Sequence, residues 1–163
     1  MVSPQAYPDL TGLTVAQIIP RLNVGGAETT TVEIARALRA ANARALVVSE
    51  GGALADALES AGAQLVDMPV ASKNPIVMAA NIRRLRRLVA AEKIDLLHAR
   101  SRAPAWSTLA AARATQTPLV TTYHSLVHKG PRPKVWYNSV MARGDVGIAN
   151  SQYTGEMIRH VHG

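Results

Sequence analysis

The sequence contains no cysteine and no long apolar run. Without cysteine there is no disulfide framework, and no thiolate can serve as a metal ligand or nucleophile, which suits a reducing compartment. No uninterrupted apolar run approaches the roughly 18 to 20 residues that a membrane-spanning helix needs. The first thirteen residues also lack the basic start and apolar centre of a secretory signal. We therefore expect a cytoplasmic protein.

Acidic residues are outnumbered. Eighteen Lys and Arg stand against eleven Asp and Glu, which gives a net charge of +7. The candidate anionic partners are nucleic acid, a phosphorylated or nucleotide substrate, and an acidic membrane surface. Recognition of nucleic acid would also need a module such as an RNP motif, a KH loop or a zinc finger, and none is present. We expect no nucleic-acid partner.

From residue 14 onward, short β-branched runs alternate with helical patterns. The predicted strands are 14–19, 45–49, 64–68, 94–98, 119–123 and 146–149, and the predicted helices are about 27–41, 53–61, 76–92, 103–114, 133–142 and 152–160. Most of the strand runs are continuously apolar, as in parallel sheets that are covered on both faces. The pattern predicts a Rossmann-like, doubly wound parallel α/β sheet over 14–163, preceded by a flexible lead-in over 1–13.

Ligands of such sheets bind beyond the carboxyl ends of the strands. That rule selects the loops that matter for function, which are 20–26, 50–52, 69–74, 99–102, 124–131 and 150–151.

The first of these loops contains Gly25 and Gly26, in RLNVGGAETTTVEIARAL at residues 21–38. Glycine permits a positive φ and a close approach of backbone to ligand, and the amino terminus of the following helix offers unpaired N–H groups to an anion. The alternative is a plain strand-to-helix turn in which Glu28 interacts favourably with the helix dipole. Taken alone, these residues leave both interpretations open.

Two other glycine motifs fit less well. A dinucleotide site would place an acidic residue at the end of the second strand, where Glu50 stands. However, the G-x-G spacing is absent, and Ala27, Glu28 and Thr29 follow Gly26 where a third glycine would be needed. A P-loop would require G-K-S or G-K-T after the glycines, and the chain has neither. We do not expect a nicotinamide enzyme.

Four motifs in the same order resemble the amino-terminal half of a family 4 glycosyltransferase with the GT-B fold. They are IIPRLNVGGAETTTVEIARAL, LLHARSRAPAWSTLAAA, PLVTTYHS and NSVMARGDVGIANSQYT, and the resemblance runs from about residue 14 to the end. It implies a retaining enzyme that moves a sugar from a nucleotide-diphosphate donor to an acceptor between two Rossmann-like domains. It also implies that this chain is the acceptor-side domain, without the carboxy-terminal donor-binding domain and its E-x7-E motif. The chain alone is then expected to be inactive.

The same resemblance assigns roles to individual residues. His124, in TTYHS, matches the histidine that lines the catalytic centre beside the transferred sugar, although a histidine that ends a strand is more often only solvated. Gly25 and Gly26 match the glycine loop that approaches the donor phosphates or the acceptor. His128, four residues after His124 in a basic loop, is expected to have no such role.

Four further residues complete the predicted substrate-binding set. Asn150 and Ser151 recur in the family at the last strand-to-helix turn, where Ser151 is also a good helix cap. In HARSR, Ser101 and Arg102, together with His98, sit at a ligand-facing loop. Arg102 could bind an anionic acceptor group, although a surface arginine is the commoner outcome. We expect no metal and no cofactor.

Two basic clusters bear on partners. One comprises Arg83, Arg84, Arg86 and Arg87 on a single predicted helix, and the other Lys129, Arg132 and Lys134. Most such clusters are solvated faces, but peripheral contact with the anionic inner membrane would suit a glycan or lipid-linked acceptor of the cell envelope, such as lipopolysaccharide. The exposed cleft face could favour a homodimer. The competing hypothesis is a non-catalytic Rossmann-like module that binds a ligand or a partner.

Overall fold

A computed structural model describes residues 8–124 and 132–162, with side chains given up to residue 158. Within these residues the strands are β1 (Thr14–Ile18), β2 (Arg44–Ser49), β3 (Gln64–Asp67), β4 (Leu96–Ala99), β5 (Leu119–Tyr123) and β6 (Val146–Ala149). The α-helices are α1 (Gly26–Ala40), α2 (Ala55–Ser60), α3 (Pro75–Glu92), α4 (Arg102–Thr115), α5 (Arg132–Asn138) and α6 (Gln152–His162), and a 3-10 turn spans Ser139–Ala142. His128 and Lys129, named from the sequence, lie outside the described residues.

The strands form one parallel sheet in the order β3-β2-β1-β4-β5-β6. Val15 in β1 pairs with Ala45 on one side and with Leu96 on the other, so β1 and β4 are adjacent at the centre. The chain leaves these two strands toward opposite ends of the sheet, because β2 follows on one side and β5 on the other. This arrangement confirms the predicted Rossmann-like, doubly wound sheet.

Apolar side chains cover both faces of the sheet. On one face, Val32 and Ala35 of α1 and Leu58 of α2 pack with buried residues of β2. On the other face, Leu85 of α3 and Leu109 of α4 belong to a larger buried cluster. Fully burying one such Leu or Val side chain stabilises the fold by about 1.5–3 kcal/mol. The continuous apolar strands therefore reflect burial on both sides, as predicted.

The ends of α3 show how local sequence sets the element bounds. The sequence Asn74-Pro75 predicts a helix cap followed by proline at the first helical position. The structure confirms it, since the Asn74 side chain accepts a hydrogen bond from Ile76 N at 2.9 Å and Pro75 opens the helix. At the other end Lys93 takes a left-handed conformation with φ of 51°. Asp95 then accepts from Thr14 N through its carboxylate at 2.8 Å. The fourth strand consequently begins at Leu96 and not at the predicted residue 94.

Two other segments differ from, or add to, the sequence prediction. The predicted helix 133–142 is divided into α5 and the 3-10 turn. Trp136 of α5 stacks on Trp106 of α4 with ring centroids 4.5 Å apart, and the Trp106 indole donates to the Tyr137 carbonyl at 3.2 Å. In the described part of the predicted lead-in, Leu10 N donates to the Ala41 carbonyl at 2.7 Å.

Candidate functional site

The loops after β1, β4, β5 and β6 meet at the carboxyl edge of the sheet and enclose two adjoining cavities. The larger, here called the cleft, has a volume of about 540 Å³ and is lined by Gly26, Ala27, Thr30, Ile34, Arg100, Thr122, His124, Ile148 and Asn150. The smaller, here called the inner cavity, has a volume of about 70 Å³ and is lined by Arg100, Ser101, Arg102, Thr122, Tyr123, His124 and Met141. After β1 and after β4 the chain continues toward opposite ends of the sheet. A doubly wound sheet binds its ligand at the carboxyl edge between two such strands.

His124 follows the last residue of β5 and lines both cavities. Its Nε2 lies 3.1 Å from Arg100 Nη2. Burial and the charge of Arg100 lower the pKa of His124 from its usual 6.5, and Glu28 acts in the opposite direction. The imidazole is therefore uncharged at neutral pH and can offer hydrogen bonds to a ligand in either cavity.

Arg100 is the residue that the sequence analysis missed. It is 2% exposed and donates from Nη1 to Gln17 Oε1 at 3.2 Å and from Nη2 to Thr30 Oγ1 at 2.7 Å. Burial lowers the pKa of Arg100 to about 10, so the guanidinium stays charged at neutral pH. Its position directly after β4, in one of the ligand-facing loops, was the available signal. Its neighbours Ser101 and Arg102 were predicted as site residues instead.

His98 contributes a second imidazole beneath the site. It is 5% exposed, and its Nε2 lies 2.7 Å from Thr122 Oγ1. Burial, followed by the charges of Arg100 and His124, lowers the pKa of His98 to about 3. The charge of the buried Arg100 thus acts on two uncharged histidines, His98 and His124.

The glycine pair lies at the amino terminus of α1, as predicted, but neither glycine has the positive φ that glycine would permit. Gly25 is extended with φ of −178°, and Gly26 does not have a positive φ. A Cβ added to Gly26 would meet nothing within 4 Å, whereas one on Gly25 would contact the Glu28 carboxylate. Gly26 therefore leaves open space at the wall of the cleft. Glu28 lies in the first turn of α1, where its charge is favourable to the helix dipole.

Gly52 is the glycine that the backbone requires. Its φ is +148°, and an added Cβ would lie 2.6 Å from both the carbonyl carbon and the oxygen of Leu22. Leu22, in the loop after β1, is fixed against the loop after β2, since its N–H donates to the Gly51 carbonyl and its own carbonyl accepts from Leu54 N, both at 2.8 Å. The loop after β2 thus supports the loop after β1.

The remaining predicted residues divide into two groups. Ser101, Arg102 and Asn150 line one or other cavity, whereas Ser151 lines neither. Ser151 Oγ accepts from Thr154 N at 3.1 Å, which is the geometry of a helix cap at the start of α6. Gly25 likewise precedes its helix and lines neither cavity.

Glu50 has partners that explain its position without a ribose. Its Oε2 pairs with Arg21 Nε at 3.2 Å, and its Oε1 accepts from Ala71 N at 3.2 Å. The carboxylate thereby joins the loops after β1, β2 and β3. This contact pattern adds to the missing glycines as an argument against a dinucleotide site.

Among the described side chains, in residues 8–124 and 132–158, no three His, Asp or Glu are grouped so that they could hold a metal ion. In the same part of the chain, the helices are too short or too polar to span a membrane.

Comparison with known proteins identifies the family. The fold is that of a doubly wound, Rossmann-like domain. The model of Glycosyltransferase Family 4 matches residues 24–163. The chain belongs to this family. No curated protein sequence matches it significantly.

Solved structures agree with the family assignment. A glycosyltransferase from Rickettsia africae ESF-5 is 30% identical, with a TM-score of 0.76 over 90% of this chain and 38% of that one. Anabaena Alr3699/HepE, solved with UDP and glucose, is 20% identical with a TM-score of 0.70 over 93% of this chain and 42% of that one. The lipopolysaccharide outer core galactosyltransferase WaaB is 14% identical with a TM-score of 0.64, over 91% of this chain and 42% of that one. The chain thus spans about two fifths of each, and it has the fold of the amino-terminal half of a GT-B glycosyltransferase.

Proposed function

We propose that this domain holds the acceptor in a retaining glycosyltransferase, which transfers a sugar from a nucleotide-diphosphate donor to a glycan or lipid of the cell envelope. The observation that carries the proposal is the cleft at the carboxyl ends of β1 and β4. The amino terminus of α1 and the uncharged His124 both line this cleft. UDP and glucose bound to the Anabaena relative support the donor class. The name of WaaB supports an envelope acceptor such as lipopolysaccharide.

The chemistry assigns a distinct task to each group. In a retaining transfer, positive charge develops on the donor sugar and negative charge on the departing diphosphate. An uncharged imidazole at His124 can hydrogen-bond a sugar hydroxyl or a reacting oxygen without adding unfavourable charge. The α1 amino terminus, which has no side-chain cap, directs N–H groups to the anionic end of the donor. Both groups act by positioning and electrostatics and not by nucleophilic attack.

The inner cavity, at about 70 Å³, can hold one small polar group of the acceptor. Arg102 and Ser101 lie at the amino terminus of α4 and line this cavity together with His124. A guanidinium at a helix amino terminus favours an acceptor that carries a carboxylate or a phosphate. Donor and acceptor would then meet at His124, which borders both cavities.

A basic surface on α3 supports contact with an anionic membrane. Arg83, Arg86 and Arg87 border one shallow surface depression of about 460 Å³. Leu85 and Val89 of the same helix are buried, so the arginines lie on its outward side. Each basic residue near such a surface contributes about 1 kcal/mol to binding. The domain would then dock on the cytoplasmic leaflet.

Screening tests the proposal directly. A two-domain protein that contains this chain is incubated with a panel of nucleotide sugars and with membrane extracts, and transfer of labelled sugar is measured. We expect one donor to support transfer, while residues 1–163 alone bind nucleotide sugars weakly and transfer none, because catalysis needs both reactants held in alignment. Turnover by the isolated chain would contradict the division of labour between the two domains.

The gene provides an inexpensive second test. We expect the reading frame to continue past Gly163 into a second α/β domain that carries an E-x7-E motif. A stop codon at that point would instead favour a non-catalytic module that binds a ligand.

A further inference from the structure

The guanidinium of Arg100 is fixed by partners whose hydrogen-bond directions are known. Gln17 donates through Nε2 to the Thr31 carbonyl at 3.0 Å, so its Oε1 is left to accept from Arg100 Nη1. The Thr30 hydroxyl donates to the carbonyls of Gly26 or Ala27, so its oxygen accepts from Arg100 Nη2. One of the two hydrogens on Nη2 is thereby used.

The second hydrogen on Nη2 is directed to His124, whose Nε2 is 3.1 Å away, nearer than the Ala27 carbonyl oxygen at 3.5 Å. An arginine side chain carries donors only, so the atom 3.1 Å from Nη2 must be an acceptor. That atom is His124 Nε2, which consequently bears a lone pair and no proton. In an uncharged imidazole the proton is then on Nδ1.

We propose that Arg100 is a positioning residue that holds His124 as the uncharged Nδ1–H tautomer, so that His124 meets its substrate as an N–H donor. The proposal deepens the transferase function proposed above and rests on it for the identity of the substrate. Arg100 borders both cavities, but it is 2% exposed and its Nη atoms contact Gln17, Thr30 and His124, so its action on the substrate passes through the imidazole. Because Nε2 is occupied, His124 cannot take a proton from an acceptor through that atom.

The surroundings of His124 favour the same state. Arg100, on the turn before α4, lowers the pKa of His124, and Glu28 on α1 raises it. Arg102 at the start of α4 and Tyr123 of β5 border the inner cavity with His124, and His98 lies on β4. A protonated His124 would present an N–H to the N–H of Arg100, and the two positive charges would repel. Burial and Arg100 both lower the pKa of His124 and so preserve the Nε2 lone pair.

Nitrogen NMR of the 163-residue chain tests the proposal without any transfer reaction. Long-range proton–nitrogen correlation on the histidine-labelled chain distinguishes protonated from unprotonated ring nitrogens, and His124→Gln assigns the resonance. We expect His124 to show a protonated Nδ1 and an unprotonated Nε2 at neutral pH, with a titration midpoint below its usual value. A protonated Nε2 in the wild-type chain would overturn the proposal. This spectrum decides the question even if variants of Arg100 fail to fold.

Substitution of Arg100 then tests the cause. Arg100→Met removes the donors and the charge with little change in length, so the His124 midpoint should rise toward the usual value and the fixed tautomer should be lost. Arg100→Lys retains a cation and should keep the midpoint low. Arg113→Met makes the same charge change at an exposed position at the far end of α4 and should leave His124 unaffected. Equal midpoints in the wild type and Arg100→Met would refute the role of Arg100.

Kinetics of the two-domain protein separate this role from a merely structural one. As the pH is lowered, we expect Arg100→Met to lose turnover near pH 6.5, because His124 of the variant becomes protonated there. The wild type should remain active at that pH and lose turnover only at a lower one. An acid limb at the same pH in both proteins would contradict the proposal. A total absence of transferase activity would instead contradict the proposed function, while the NMR result would stand by itself.

Discussion

An added Cβ on Gly52 would lie 2.6 Å from the carbonyl carbon and oxygen of Leu22, so two loops at the ligand-binding edge meet there without room for a methyl group. Gly52→Ala would have to displace backbone and to adopt a φ of +148°. We expect the free energy of unfolding to fall by about 2–5 kcal/mol, as measured by chemical denaturation. Gly51→Ala is the matched control, because Gly51 has φ of +75° with nothing within 4 Å, and it should cost about 1–2 kcal/mol. Equal effects would show that the close approach is unimportant.

Gly26→Val should impair ligand binding and leave folding almost unchanged. The position has no positive φ, and a Cβ there would project into open space beside the cleft. Isothermal titration with a nucleotide sugar and thermal unfolding measure the two effects on the two-domain protein. Gly26→Ala is the milder control. Parallel losses of stability and binding would instead favour the plain-turn interpretation of this loop.

His124→Ala should lower kcat of the two-domain protein by roughly 10²-fold or more, the scale of losing one oriented polar contact in a water-poor site. The unfolding midpoint should change little, since Arg100 retains its contacts with Gln17 and Thr30. His128→Ala supplies the control, and we expect it to keep its turnover. If the two variants behave alike, His124 has no catalytic role.

Ser151→Ala should reduce the free energy of unfolding by about 1 kcal/mol, because the Thr154 N–H loses its cap. Ser151 was also predicted to bind substrate, and the same variant separates the two roles. We expect substrate affinity to be retained when it is measured at a temperature where the variant is fully folded. A large loss of affinity under those conditions would assign a direct contact to the hydroxyl.

His98 should make the fold sensitive to acid. Its pKa is about 3 in the fold and about 6.5 in the unfolded chain, so the unfolded state binds the proton first as the pH falls. The stability that depends on uncharged His98 is complete above pH 6.5 and is lost by about 1.4 kcal/mol per pH unit between 6.5 and about 3.

The difference in unfolding free energy between the wild type and His98→Gln isolates this contribution, since other groups titrate in both proteins. We expect the free energy of unfolding of the variant to rise relative to that of the wild type as the pH is lowered from about 7.5 to about 5. Parallel stability profiles would show that His98 is not buried in the uncharged form.

The sequence predicted the sheet because the central strands β1, β2, β4 and β5 are largely buried, and burial on both faces leaves a continuous apolar run in the sequence. It predicted the residues around the site less well. Gly25 and Gly26 were visible as a pair, but the glycine that the backbone requires is Gly52, whose constraint comes from Leu22, thirty positions earlier. Arg100 was missed for the same reason, since its partners Gln17 and His124 are adjacent only after folding. Long-range contacts of this kind leave no local pattern.

The central position of β1 has a consequence for the order in which the fold can form. Thr14 N bonds to the Asp95 side chain, 81 positions later, whereas β1, β2 and β3 can pair as soon as residue 67 has been synthesised. The other side of β1 can pair only after β4 has been synthesised. Pairing of β1 with β4 closes a long segment of chain, and such closure is slow. Until then, the innermost strand is an open edge that can pair with another chain. A nascent chain that stalls before residue 96 would therefore be prone to aggregation, and the ligand-binding edge would be completed only after β4, β5 and β6 have joined the sheet.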